Sequence, residues 1–282
     1  MSGETVENWV FLGDSLCEGV GSSRIGFVGE LAKTLPGAEM IRLRPMRIAG
    51  AVPYDIAGMV GERAATARLL LWNLGCEGTT VRDDASWLWL LRGLAPARVF
   101  ILRGALESIL RPAAVLDGRP PVWLPGSWRA PSALDPRCYF SQTWWRRAKQ
   151  TSVDAAKQAA RRRLLRKEPG RPLLSDMAFL EAYDALLARC AALDAVTIAL
   201  GLPRVDERVF PGSARIFRER SAAIGALAAE RGSSFVDWPS NLSAEARPDC
   251  FYRDGFHPNA RGAAAFAQSL VETARLTGPA RG

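Results

Sequence analysis

Residues 9–21 read Trp9-Val10-Phe11-Leu12-Gly13-Asp14-Ser15-Leu16-Cys17-Glu18-Gly19-Val20-Gly21. Four large apolar residues in a row, closed by a glycine, are the pattern of a short strand buried on both faces. Such a strand belongs in a parallel sheet covered by helices, not in a half-exposed antiparallel one. Gly13, Gly19 and Gly21 then let the chain turn tightly, and a helical pattern follows near 26–35. A serine in that turn lies at the carboxyl edge of the sheet.

The same alternation recurs along the chain. Further strands are expected at Glu39–Leu43, Arg68–Leu74, Arg98–Arg103, Ala195–Leu200 and Ser234–Val236, and further helices near 54–66, 83–94, 176–192, 214–231 and 260–275. Strands alternating with helices of this length imply an α/β fold with a parallel sheet covered on both faces. In such sheets ligands gather at the carboxyl ends of the strands, so chemistry is to be sought in the residues just after each one.

With 282 residues, 48% hydrophobic and 23% charged, the chain is long enough for one large domain or one domain with an insertion. No apolar run approaches the ~20 residues of a membrane span, and the acidic start does not resemble a signal peptide, so the chain reads as cytoplasmic. Cys17, Cys76, Cys138, Cys190 and Cys250 are scattered, with no Cys-x-x-Cys pair, and read as reduced thiols. The lone histidine leaves no metal-ligand set with recognisable spacing. Gly19-Val20-Gly21 runs into Ser22-Ser23-Arg24 and does not complete a dinucleotide fingerprint, and there is no P-loop. Neither metal nor cofactor is expected.

The net charge of +8 is concentrated. Residues 111–172 hold fourteen of the 37 Lys/Arg and only four of the 29 Asp/Glu, together with Trp123, Trp128, Trp144 and Trp145. Six prolines between 112 and 136 point to loop, while Val153, Ala156, Ala160 and Leu164 fall at helical spacing beside Arg161, Arg162 and Arg163. The expected organisation is therefore an α/β domain over 1–110 and 173–282, with 111–172 inserted as a basic, Trp-rich lid or specificity subdomain. The bland alternatives are that the tryptophans anchor a long insertion and that the arginine run is a solvated face.

Near the other end stands Asp254-Gly255-Phe256-His257-Pro258-Asn259, before the last helical pattern. A serine hydroxyl is a poor nucleophile until a base takes its proton. Imidazole titrates in the right range to do so, and a carboxylate can fix its tautomer. Alone, a serine in a glycine turn is commonly a helix cap and Asp-x-x-His commonly a structural loop. Asp14 reads as a turn residue, Asp237 as a loop cap and Cys17 as a packing residue.

Taken together, Gly13-Asp14-Ser15-Leu16 and Asp254-x-x-His257 resemble the first and last blocks of the GDSL, or SGNH, hydrolase family. The resemblance implies a flavodoxin-like three-layer α/β/α fold, with Ser15 as nucleophile, His257 as base and Asp254 as its orienting partner. The Gly-x-Ser-x-Gly elbow of the α/β-hydrolases is absent around Ser15. Asn73-Leu74-Gly75-Cys76-Glu77-Gly78 is similar to the second block, which would make the Gly78 amide an oxyanion donor beside that of Ser15; Gly50 is a rival. The third block falls on Arg103-Gly104-Ala105-Leu106-Glu107 and departs from the family's Gly-x-Asn-Asp, since Leu106 or Glu107 takes the place of the donor asparagine. A replacement donor from Arg103, Asn73 or an Arg or Trp of the insertion is one way out; a more activated ester or thioester, or altered chemistry, are others.

The function this implies is a serine carboxylester hydrolase working through an acyl-enzyme on a small-molecule or glycan ester, with anionic substrates and O-deacetylation of a carbohydrate suited to the Trp- and Arg-rich insertion. An acyltransferase or thioesterase would use the same triad. In a different class stands a non-catalytic protein that places the basic insertion on nucleic acid or an anionic membrane, though no nucleic-acid motif accompanies the charge.

Overall fold

The computed structural model describes residues 6–21, 25–43, 56–64, 66–84, 88–237 and 247–276. Six strands, β1 (Glu7–Gly13), β2 (Ala38–Arg42), β3 (Leu69–Asn73), β4 (Arg98–Leu102), β7 (Val196–Leu200) and β8 (Ser234–Val236), form one all-parallel sheet in the order β2-β3-β1-β4-β7-β8. A two-stranded antiparallel pair, β5 (Arg111–Pro112) and β6 (Gly170–Arg171), stands apart from it. All six expected strands are present within two residues of their expected ends. Val10, Phe11 and Leu12 are buried as their uninterrupted apolar run requires, and Phe11 stacks on Phe100 of β4 with ring centroids 4.5 Å apart. The chain winds outward from β1 to β2 and returns to β3 on one side, then crosses β1 to β4 and continues away. The crevice beyond the end of β1 is thus the topological switch point, where a ligand site is expected in this architecture.

Helices cover the sheet: α1 (Ser15–Glu18), α2 (Gly26–Thr34), α3 (Ile56–Ala64), α4 (Leu88–Leu94), α5 (Ala105–Ser108), α6 (Ala113–Leu116), α7 (Trp144–Lys167), α8 (Asp176–Ala191), α9 (Ser213–Glu230), α10 (Arg247–Cys250) and α11 (Ala260–Leu276). Phe27 of α2 meets Phe266 of α11 at 4.4 Å, tying the first long helix to the last, and Phe11 reaches Phe27 from the sheet. The result is the expected three-layer α/β/α arrangement. The helix expected over 83–94 begins later. Asp83 instead accepts hydrogen bonds from the Thr80 N–H and hydroxyl, and Asp84 faces Arg103, so these two acids close a turn before α4.

The insertion is tied at its neck, where Arg111 pairs with Arg171 across β5 and β6. Val115, Leu124, Leu134, Ala160 and Leu164 form a small apolar cluster of their own with Trp128 against it, separate from the main core. Two expectations change here. The basic helix starts at Trp144, nine residues before the periodic stretch. Its buried face holds Asp154, Ala160, Arg161 and Leu164, whereas Val153 and Ala156 are exposed. Asp154 turns inward because it accepts the Arg137 N–H and pairs with Arg253. Arg161, for which a solvated face is one of two readings, is fully buried; it donates to the carbonyls of Leu110 and Val209 and lies over the Phe210 ring. Backbone acceptors take hydrogen bonds from both of its terminal nitrogens, which offsets much of the cost of burial, although its Nε–H has no partner among the described residues. Trp128 is half-buried against the cluster, but Trp144 is 79% exposed and Trp145 51%, so these two do not anchor the insertion.

Candidate active site

Ser15 is the first residue of α1, at the end of the central strand. Asp14 caps that helix, its Oδ1 accepting the Leu16 N–H at 2.9 Å. This is the turn role expected of Asp14. The turn needs glycine at position 13, because a Cβ there would lie 2.2 Å from the Cys17 Cβ. Cys17 packs as expected. Burial pushes its thiol far up, and its Sγ points to Asn73 Oδ1, so it is no rival nucleophile.

His257 arrives from the loop before α11. Asp254, fully buried, accepts the backbone N–H groups of Phe256 (3.1 Å) and His257 (3.0 Å) with Oδ1, which folds the four residues into one rigid turn. Its other oxygen, Oδ2, lies 2.6 Å from His257 Nδ1, and His257 Nε2 lies 2.8 Å from Ser15 Oγ. The Phe256 ring supports the imidazole at 4.1 Å, and Asn259 holds the start of α11 by accepting the N–H groups of Arg261 and Gly262. The structure thus brings together three side chains from the two ends of the chain in the order hydroxyl, imidazole, carboxylate. A proton leaving Ser15 Oγ can pass to Nε2 while Asp254 holds Nδ1–H and offsets the charge that develops.

Gly78 lies on the other side of Ser15, in the loop after β3, with φ +80°. That left-handed conformation suits glycine. Among the described residues neither the Ser15 nor the Gly78 N–H has a protein acceptor, and both residues line the same cavity. The loop around Gly78 is braced on every side. Cys76 N–H donates to Gly13 O at 3.0 Å, Gly75 N–H to Asn73 Oδ1 at 2.9 Å, Glu77 N–H to Glu18 Oε2 at 2.6 Å and Val81 N–H to Glu107 Oε1 at 2.7 Å. Gly50, the rival oxyanion glycine, lies outside the described residues.

These braces decide the open question of the third block. Leu106 is the residue that lines the cavity, while Glu107 points into the core beneath the loop. Arg103 and Asn73, considered as replacement donors, are occupied elsewhere. Arg103 forks onto Asp84 and donates to Thr79 Oγ1 at 2.7 Å, and Asn73 donates to Cys17 O at 2.9 Å while accepting from Gly75. Both side chains hold the loop around Gly78 instead of entering the cavity. Sequence reading missed Glu18, Arg42, Thr79, Asp84 and Glu107 as its supports. Their partners are 19 to 59 residues away in the chain, so no local pattern marks them.

The cavity has a volume of about 600 Å³. Leu106, Ile109, Phe210 and Phe256 form its apolar wall beside Ser15 and His257, and residues 131–133 and 135–139 with Lys157 line it from the 111–172 segment. Cys138 of that segment lies near His257 and Asp254; burial and the Asp254 charge push its thiol up to about 12, so it is a neutral wall at ordinary pH. A separate hollow of about 350 Å³, at the ends of β7 and β8, includes Asp237 in its lining.

Burial raises the Glu107 carboxyl to about 7, from 4.5 in the open chain, despite the Val81 hydrogen bond and the Arg103 charge. Because the folded value is the higher one, the folded chain binds the extra proton between those limits. Stability therefore falls as pH rises from 4.5 towards 7 and stays lowered above it, by on the order of 3 kcal/mol at most. Glu107→Gln keeps the acceptor for Val81 and removes the titration. Denaturant midpoints should therefore favour the variant over the parent increasingly between pH 5 and pH 8. A gap between the two that does not change with pH would contradict this assignment.

Three solved structures are similar to this one over nearly their whole length. One is LAE5, an alpha/beta hydrolase enzyme from the metagenome of Lake Arreo, Spain, at 17% identity and a TM-score of 0.54, covering 98% of this chain and 100% of that one. Axe2, an acetylxylan esterase from Geobacillus stearothermophilus, aligns at 15% identity and 0.52, covering 96% and 95%. TesA aligns at 14% identity and 0.52, covering 96% and 99%. The chain shares their fold. No protein-family model and no curated protein sequence matches it. Among the described residues no helix is long and apolar enough to cross a membrane.

Proposed function

We propose that this protein is an SGNH-type serine esterase that cleaves short acyl esters, acetyl esters of carbohydrates foremost, through an acyl-enzyme. The observation that carries the reading is the pair of short contacts, Ser15 Oγ to His257 Nε2 at 2.8 Å and His257 Nδ1 to Asp254 Oδ2 at 2.6 Å. Ser15 Oγ attacks the ester carbonyl carbon as its proton moves to His257 Nε2. The carbonyl oxygen becomes an oxyanion facing the unengaged N–H groups of Ser15 and Gly78. When the tetrahedral adduct collapses, the carbon–alcohol bond breaks and Nε2–H protonates the departing alcohol oxygen. Water then gives its proton to Nε2 as it attacks the acyl carbon, and the second collapse returns the proton to Ser15 and releases the acid.

Leu106 in place of an asparagine leaves two backbone donors where the family resemblance implies three. Loss of one donor typically costs about 10²- to 10³-fold in rate, so turnover of unactivated esters is expected to be modest. The apolar wall of Leu106, Ile109, Phe210 and Phe256 suits a small acyl group, and the similarity of fold to an acetylxylan esterase supports a carbohydrate on the alcohol side. The insertion, which lines the cavity through residues 131–133 and 135–139, serves as lid and specificity element. The test is intact-mass detection of a single fluorophosphonate adduct, mapped by peptide sequencing, together with acetate release from acetylated sugars. An adduct on Ser15 that is lost in His257→Ala supports the reading, while absence of any adduct or its location on another residue overturns it.

A further inference from the structure

The cations of the insertion are not equivalent. Of those on α7, Arg161 is buried, Arg163 lies over Trp123, Lys157 over Trp128, and Arg147 donates to Ser141 O and to Gln142. Arg146 and Lys149, with Arg137 of the preceding loop, are exposed, and among the described residues none of the three side chains has a carboxylate partner. These three converge. A groove of about 310 Å³ is lined by Arg137, Trp145, Arg146, Lys149, Gln150 and Val153, the α7 members following one another at helical spacing on one face. The groove contains no acid. Arg137 also lines the catalytic cavity, so its side chain borders both hollows.

We propose that this groove is a second subsite, which holds the anionic part of an O-acylated glycan while its ester is presented to Ser15. The half-exposed Trp145 ring is flanked by the Arg146 guanidinium, 4.9 Å from its centroid. A pyranose ring stacks its C–H face on an indole, and a guanidinium and an ammonium beside that indole pair with a carboxylate or phosphate on the same sugar or its neighbour. Adjacency to the cavity, with Arg137 between the two, argues for an occupant that is part of the substrate. The chemistry of the lining argues that this occupant is both cyclic and negative. A lipid surface fits less well, since the apolar residues exposed on this helix are Trp144, Trp145 and Val153, too few for a face that inserts between headgroups. The inference rests on the esterase reading above and adds the substrate class to it.

The test compares two partially O-acetylated oligosaccharides of equal length, an oligogalacturonide carrying one carboxylate per sugar and a neutral xylo-oligosaccharide, by the ratio of their kcat/KM values for acetate release. That ratio should favour the anionic substrate at least tenfold at low ionic strength and fall towards unity in 0.5 M salt. In Arg146→Gln/Lys149→Gln it should fall roughly 5- to 30-fold, through KM and not kcat, as expected for two exposed ion pairs. Unacetylated oligogalacturonide and a glycerol-phosphate oligomer, used as competitors, distinguish a carboxylate ligand from a phosphate one. A ratio at or below unity, or one unmoved by salt and by the double variant, overturns the subsite. So does binding to phosphatidylserine vesicles that the double variant loses while the glycan ratio stays constant. Turnover of p-nitrophenyl acetate separates the two levels. If it depends on Ser15 while neither oligosaccharide is cleaved, or no anionic preference is seen, the subsite alone falls. If Ser15→Ala retains it, the esterase reading falls as well.

Discussion

Ser15→Ala is expected to lower kcat for p-nitrophenyl acetate by about 10⁴- to 10⁶-fold, and His257→Ala by a similar factor. The two act as one unit, because the hydroxyl is nucleophilic only while the imidazole takes its proton. The double variant should therefore be no slower than either single one. Asp254→Asn should cost about 10⁴-fold. An amide at 254 would present a donor where Nδ1–H now finds its acceptor, 2.6 Å away, and would favour the tautomer whose Nε2 carries the proton and cannot receive another. Circular dichroism and a thermal melt on each variant separate lost chemistry from lost fold. A folded Ser15→Ala protein with unchanged turnover would end the serine-esterase reading.

Arg103→Met is expected to destabilise the protein by about 3–5 kcal/mol, read as a lower denaturant midpoint. Arg103 is 1% exposed and its partner Asp84 equally buried; the guanidinium also holds Thr79 in the loop around Gly78. Burial alone would weaken its hold on a proton, but Asp84 more than offsets that; burial raises the Asp84 carboxyl in turn, and the Arg103 charge and hydrogen bonds act against that rise. Removing the cation leaves Asp84 without a counterion, close to Asp14 and to Glu107. The diagnostic is the second variant. Arg103→Met/Asp84→Leu takes away both charges and should recover most of the stability, whereas a loss from packing alone would be deepened by it. Its turnover should remain below that of the parent protein, because Thr79 and hence Gly78 are no longer braced.

The reading of particular stretches shows where local pattern suffices. Trp9–Gly13 is a strand because four apolar side chains in succession have no solvent-facing alternative, and the glycine turn after it admits no Cβ at position 13. The lone histidine three residues after an aspartate, with a serine in such a turn near the other end, carries the resemblance that singled out Ser15, Asp254 and His257. The insertion was legible as basic and tryptophan-rich but not in its orientation. Val153 and Ala156 keep a helical period with Ala160, yet they face solvent. Asp154 and Arg161 face inward, because Arg253 and the carbonyls of Leu110 and Val209 wait there. Charge is a poor guide to burial where a partner from a distant segment supplies the compensation.

From the order of residues alone comes the parallel α/β architecture, since it follows from short-range rules, the period of apolar residues and the steric demand of a turn; Ser15, His257 and Asp254 were singled out by the resemblance of their two motifs to a known family. Tertiary structure alone decided that Leu106 faces the cavity and Glu107 the core, that Arg103 and Asn73 brace the loop around Gly78, and that Arg137, Arg146 and Lys149 share one groove. In each case the direction a side chain takes depends on what lies across the gap from it. That neighbour comes from a part of the chain too far away in sequence for any local pattern to specify.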